Sequence, residues 1–494
     1  MSDKTKKYCD KVFGILMIIG ILAIVLVLLL AVSYSYLCSD DFSWLCGTRD
    51  MIEHYGDSHL GAALRGTAAY YKYNEGSYFA NFLSYFANPY EKMGLIGFHG
   101  VMIAILLFFL GSLYYLICRI TAKLNMRLCL FFSALLVAFC TYYSFGNPEY
   151  FLWFTGACYY TVELSFAFLA LGLFIGMVKT KSSVPMLVIS SVCGFLASGG
   201  NLIVTGVSCS WLLIAIIMNW NVVKEEKKLF VPFGVSLLGA IVNVVAPGNY
   251  ARADAWINEG HVTIGDALRD TIICFSKEAK VFIRSSLLIS VLIILFLVAL
   301  FWGKYITKTK ISILWMILSW VSVLVLQFVV LFPVTYGEHT DTISFARLSQ
   351  SYYFVSSIMF MFAVIMTGLC ISAYDFGFKK LLIPVGVLAI IVLMIIPKGE
   401  TSDIKNGYVS KIVKDYKSGN LRNNYLIRDY VLNTLELAET DSDVILFLPY
   451  YPCESTYSMG VDENPDGFVN NSVRNWKRIH SLTVYYKGLN YPAD

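Results

Sequence analysis

The sequence predicts an all-α polytopic membrane protein of about eleven transmembrane helices, with a small extracytoplasmic α/β appendage at its C-terminal end. Three observations predict it. The 494 residues are 57% hydrophobic and only 15% charged, against about 25% charged in an ordinary soluble domain. The apolar residues come in runs long enough to carry a helix across a bilayer, the first from Val12 to Ser33. After Pro397 the composition turns polar at once, through Lys398–Asp403. A net charge of +4 carries no message about nucleic acid in such a chain, because what matters is where Lys and Arg fall.

Lys4, Lys6, Lys7 and Lys11 precede the first run and no small-residue cleavage site follows it, so it reads as a permanent span with its N-terminus inside. Residues 34–92 then form a loop of about sixty residues, too long for a mere connection and therefore expected to be functional. Further spans are expected near 93–117, 128–145, 157–178, 184–200, 202–219, 229–246, 286–303, 311–332, 353–374 and 380–397. Charge supports this order. The connections assigned to the inside hold Arg119, Lys123, Arg127, Lys179, Lys181, Lys224, Lys227, Lys228, Lys304, Lys308, Lys310, Lys379 and Lys380, whereas the short outer ones near 146–156, 198–202 and 333–352 hold only Arg347. That bias predicts a cytoplasmic N-terminus and an extracytoplasmic C-terminus, dividing the chain into a bundle over 1–397 and a domain over 398–494. In the tail, 404–437 has helical spacing with a break at 418–420, and Val444–Leu448 reads as a short strand.

The 12 cysteines form no CxxC pair and mostly lie inside apolar runs, as small hydrophobes. On the outer side, a pairing of Cys38 with Cys46 is open. His54, His59, His99, His261 and His339 show no metal-ligand spacing, so no divalent metal is expected.

Polar groups gather on the proposed outer face, where they are least costly and most informative. Asp40 and Asp41 follow the first span; neighbours in sequence cannot both aim at one site, so one is expected to act and the other to orient or bind. The next outer connections bring Glu149 and Trp153, then Tyr160 and Glu163 just inside a span, then Asn201 after two glycines. Asn249 and Arg252 follow a Pro247-Gly248 turn, a rigid backbone that can present donors. Arg347 breaks the charge rule locally, and an acid such as Glu163 within a span must face protein or a watery cavity. The aromatic run Tyr70–Tyr78 reads as an interfacial amphipathic helix or a platform for a sugar ring. Arg forks hold phosphate oxygens, and a carboxylate beside them can take a proton from an attacking hydroxyl.

On Ser39–Ser43, Gly76–Phe82, Trp153–Gly156 with Tyr160, Ala246–Arg252, Phe468–Ser472 and Val484–Tyr486, the chain resembles the GT-C superfamily of membrane glycosyltransferases. More narrowly, it resembles a related bacterial family of polytopic membrane proteins of unassigned function. The resemblance implies a catalytic acid in the first outer loop, a polyprenyl-phosphate-linked sugar as donor and a cell-envelope glycan as acceptor. Two positions depart from the pattern: Ser77 stands where Arg is usual, and Leu202 where an acid is. A transporter or flippase of lipid-linked glycans, or a non-catalytic partner protein, is the competing expectation. The clustering of polar groups at outer ends, with no evident repeat, favours the enzyme.

Overall fold

The computed structural model describes residues 3–180, 182–256, 263–303, 311–338, 340–374, 379–395, 402–456 and 460–487. Lys181, His261, Lys304, Lys308, Lys310, His339, Pro397 and Lys398, all used in the sequence reading, lie outside the described residues. A helix occupies each place where an apolar run predicts one. Helix α1 (Asp3–Val32) is followed by three loop helices, α2 (Asp41–Tyr55), α3 (His59–Tyr73) and α4 (Tyr78–Phe86). The chain turns at Gly94, whose φ of 58° suits glycine, as it enters α5 (Tyr90–Ile120). Then come α6 (Leu124–Phe139), the short α7 (Asn147–Phe151), α8 (Phe154–Lys179, opening with a π-helical turn at Ala157–Val162), α9 (Val184–Ala197), α10 (Leu202–Met218) and α11 (Val231–Val244). The second half holds α12 (Pro247–Trp256), α13 (Ile264–Arg284), α14 (Ser286–Trp302), α15 (Ile313–Glu338), α16 (Ala346–Ser372) and α17 (Lys379–Ile395).

Among the described residues, six segments are long and apolar enough to cross a membrane unaided, or up to seven if α13 and α14, bent by 76° at their junction, count as one. The six include α1 from Asp10, α5, α8, α15, α16 and the stretch Lys227–Arg252. Helices such as α9, with 14 residues, rise only about 21 Å against a hydrocarbon core of about 30 Å. Length and composition therefore carry the polytopic membrane fold, while the figure of eleven still rests on the charge pattern. Ile15, Leu16, Ile19, Leu22 and Leu26 of α1 are exposed, an apolar surface that only lipid makes affordable.

The tail forms α18 (Tyr408–Ser418), α19 (Asn420–Leu437), β1 (Asp443–Leu448), α20 (Phe468–Lys477) and β2 (Ser481–Tyr486). Gly419, at φ 80°, makes the expected break between α18 and α19. The strands pair in parallel, Val444 opposite Leu482 and Leu446 opposite Val484, with α20 in the crossover. The tail does not stand apart from the bundle. Val431, Leu432, Val473 and Trp476 continue one buried cluster with Phe42 and Leu45 of α2, and the Ser43 and Ser472 hydroxyls meet at 2.8 Å. Buried Asp403 anchors the tail's start, accepting from Tyr142 N at 2.6 Å, Leu287 N at 2.7 Å and Ser286 Oγ at 3.0 Å. Those donors include one orphan amide at the start of α14, that of Leu287, where a negative charge is favoured. Cys38 and Cys46 are free thiols.

Candidate functional site

The chain leaves α1 through Ser39, a buried non-glycine residue at φ 51°, a conformation that costs energy and is held here by its surroundings. This turn sends the two following acids in different directions. Asp41 points inward and is fully buried. Its Oδ1 accepts from Thr155 Oγ1 at 2.7 Å and Thr155 N at 3.0 Å, and its Oδ2 accepts from Cys38 N at 3.2 Å. It ties the first loop to the start of α8, so the structure gives it a place in the frame, with both oxygens already accepting hydrogen bonds. Burial pushes its carboxyl up to about 7 despite those three bonds.

Two outcomes follow for Asp41. Asp41→Ala is expected to cost about 3 kcal/mol, because three buried donors lose their acceptor, and a thermal melt of the reconstituted protein measures it. An acid with a raised folded-state pKa contributes its stability below the ordinary aspartate value and loses it as the pH climbs through the raised one. The melting temperature of the wild type is therefore expected to fall relative to that of Asp41→Asn between about pH 4 and about pH 7, and to run parallel to it outside that window.

Asp40 is partly exposed and precedes α2 without capping it. Burial pushes its carboxyl above the ordinary aspartate value; the charges of Arg347 and Arg252 oppose that shift, and that of Glu75 adds to it. Arg252 and Arg347, far apart in sequence, thus both lie within electrostatic reach of Asp40. Each arginine is set by its own acid. Arg252 Nη1 lies 2.8 Å from Glu75 Oε2, and Arg347 Nη1 lies 3.2 Å from Glu149 Oε2. Glu149 is itself pushed up by burial and held back by Arg347.

Glu75 owes its place to two close backbone approaches. A Cβ on Gly76 would fall 1.9 Å from Asn243 O, and one on Gly248 would fall 2.5 Å from Glu75 N. Only glycine lets the residues just after α3 approach the end of α11 and the start of α12 this closely. Asn249 clasps them, accepting from Gly76 N at 2.9 Å and donating to Asn243 O at 2.7 Å. Asn249 is therefore spent on backbone, and its predicted substrate contact gives way to a positioning role for Glu75 and Arg252. The Tyr159 hydroxyl lies against both Glu75 Oε1 and Asn81 Oδ1, yet a phenol has one proton. With the Asn81 amide turned, Asn81 donates to Tyr159 and Tyr159 donates to Glu75, which also gives the otherwise orphaned Asn81 Nδ2 a partner.

The π-helical turn opening α8 places Tyr159 beside Glu75 and its neighbour Tyr160 beside Arg347 and Asn201. Tyr160 stacks on Tyr150 with ring centroids 4.9 Å apart, and Asn201 Nδ2 donates to its hydroxyl at 3.5 Å. Asn201 also caps α10, accepting from Ile203 N at 2.9 Å. The Arg347 guanidinium lies over the Trp153 ring at 5.6 Å and the Phe345 ring at 4.4 Å. Glu163 is buried with neither oxygen bonded, packed where a Cβ on Gly200 would come 2.2 Å from its Cγ, and no hydrogen bond ties it to Asp40 or the arginines. Ser77 is buried at the start of α4 without capping it, so the cation facing Glu75 comes from Arg252.

The structure thus gathers Asp40, Arg252, Arg347, Glu149, Trp153, Tyr160 and Asn201 around one region, leaves Glu163 beside it, and assigns Asp41 and Asn249 to the frame. It adds Glu75, which lies inside the aromatic run Tyr70–Tyr78, and Tyr159, the neighbour of Tyr160. An apolar hollow of about 290 Å³ between α14, α15 and α16, lined by Leu292, Phe296, Trp320 and Val364 among others, offers no acid or base. No family model, no curated protein and no solved structure matches the chain.

Proposed function

We propose that the protein is a membrane glycosyltransferase that moves a monosaccharide from a polyprenyl-phosphate carrier to a cell-envelope glycan at the outer membrane surface. Asp40 is its general base. The observation that carries this reading is the state of Asp40: among the described residues its carboxyl has no side-chain partner, yet it stands under the charges of two arginines. A raised pKa strengthens a carboxylate as a base. Asp40 takes the proton from the acceptor hydroxyl, that oxygen forms the bond to the anomeric carbon, and the carbon–oxygen bond to the carrier phosphate breaks with its electron pair on the phosphate. Arg252 and Arg347 offer guanidinium donors to that phosphate. The topology that goes with this reading has about eleven spans, a cytoplasmic N-terminus and an extracytoplasmic tail.

The test is release of free polyprenyl phosphate by the full-length chain in vesicles, given a panel of polyprenyl-phosphate-linked sugars and an envelope glycan acceptor. Acceptor-dependent release is expected. Wild-type protein that releases no more than Asp40→Asn across the panel would overturn the reading.

A further inference from the structure

Helix α13 is unlike the spans around it. It has 21 residues and meets the apolar α14 at 76°. If α14 runs across the bilayer, α13 lies close to the plane of the surface, spanning about 31 Å of it. Its surface divides into three strips. One is buried: Ala267, Thr271, Cys274 and Phe282 face the bundle, with Thr271 Oγ1 2.8 Å from Thr335 Oγ1 of α15. The second is apolar and open, with Ile264 65%, Leu268 45%, Ile272 55% and Ile283 70% exposed. At 100° per residue these four fall within an arc of about 100°. The third holds Arg269, Lys280 and Arg284, all exposed, within about 60° of one another and next to the apolar arc.

We infer that α13 is an interfacial anchor: Ile264, Leu268, Ile272 and Ile283 sit among the acyl chains of one leaflet while Arg269, Lys280 and Arg284 engage lipid headgroup phosphates. Two observations choose lipid as the occupant. The open apolar strip ends at Ile283, two residues before the buried Ser285 that caps α14, a helix whose side chains Ile294 and Trp302 are exposed as in a lipid-facing span. The cations flank the apolar arc where the headgroup layer would lie, and long basic side chains reach that layer from a helix in the interface plane. The anchor is independent of the chemistry proposed for Asp40.

The test uses the full-length chain in nanodiscs of phosphatidylcholine, with Ile272→Trp as reporter and Leu268→Trp as a second reporter in case the first disturbs folding. The emission added over wild type is expected to be lost when the acyl chains carry bromine and to resist quenching by aqueous acrylamide. Quenching by acrylamide but not by bromine would place the strip in water and overturn the inference. Quenching by neither would overturn it in favour of a protein cover, such as a second copy of the chain. The headgroup half is read with Arg269→Gln, Lys280→Gln and Arg284→Gln combined, which is expected to weaken the bromine quenching of the same reporter; unchanged quenching would overturn that half.

Discussion

Asp40→Asn is expected to lower sugar transfer by roughly 10²- to 10⁴-fold, the span a positioned general base contributes, with little loss of stability. Both halves follow from its surroundings. Among the described residues the carboxyl has no bond to another side chain that the amide would break, and burial makes its charged form costly. Because its pKa is raised, ionisation of Asp40 works against the fold as the pH rises. The neutral amide is therefore expected to melt at the wild-type temperature or slightly above it near neutral pH. The activity of the wild type is expected to rise with pH along a limb that lies above the ordinary aspartate value, and Asp40→Asn is expected to lose that limb. Rates of polyprenyl phosphate release over a pH series, with melts on the same samples, check all three outcomes. A fall in rate matched by a fall in melting temperature would instead make Asp40 a structural residue like its neighbour.

The contrast between Asp40 and Asp41 marks how far the sequence could be read. Apolar run length made the helical membrane fold legible, because it follows from the cost of polar groups in lipid. The break at Gly419 and the strand at Val444 were also legible from local chemistry. The division of labour between two adjacent acids was not, since it depends on a left-handed turn at Ser39 and on Thr155, far along the chain. Glu75 was hidden for a related reason. Within Tyr70–Tyr78 it reads as one polar residue on an amphipathic helix, and only the contact of two glycine-bearing segments brings it to Arg252. The count of spans sits between these cases: helices as short as α9 are apolar enough for a membrane interior, but their length does not say how they cross it.

Arg347→Ala is expected to reduce kcat/KM for the lipid-phosphate donor by about 10²-fold, the scale of one lost charge-assisted contact to a phosphate that gains charge as the bond breaks. It is also expected to destabilise the protein, because Glu149, with a side chain only 14% exposed, is left without its cation. Breaking a buried pair costs about 3–5 kcal/mol; at a partly solvated pair such as this, about 2 kcal/mol is the expected scale. Glu149→Gln alone is expected to do less, since Arg347, 25% exposed, keeps water and the faces of Trp153 and Phe345. The informative protein is the combination of Arg347→Ala with Glu149→Gln. Removing the orphaned charge should restore the melting temperature, while transfer should stay low because the phosphate keeps only the Arg252 guanidinium. If the pair recovers transfer as well, Arg347 serves only to neutralise Glu149, and the phosphate must be held by other groups. Arg347→Lys should behave like the alanine variant in transfer and like the wild type in stability: an ammonium still answers Glu149, but it lacks the planar fork that both stacks on the rings and grips two phosphate oxygens.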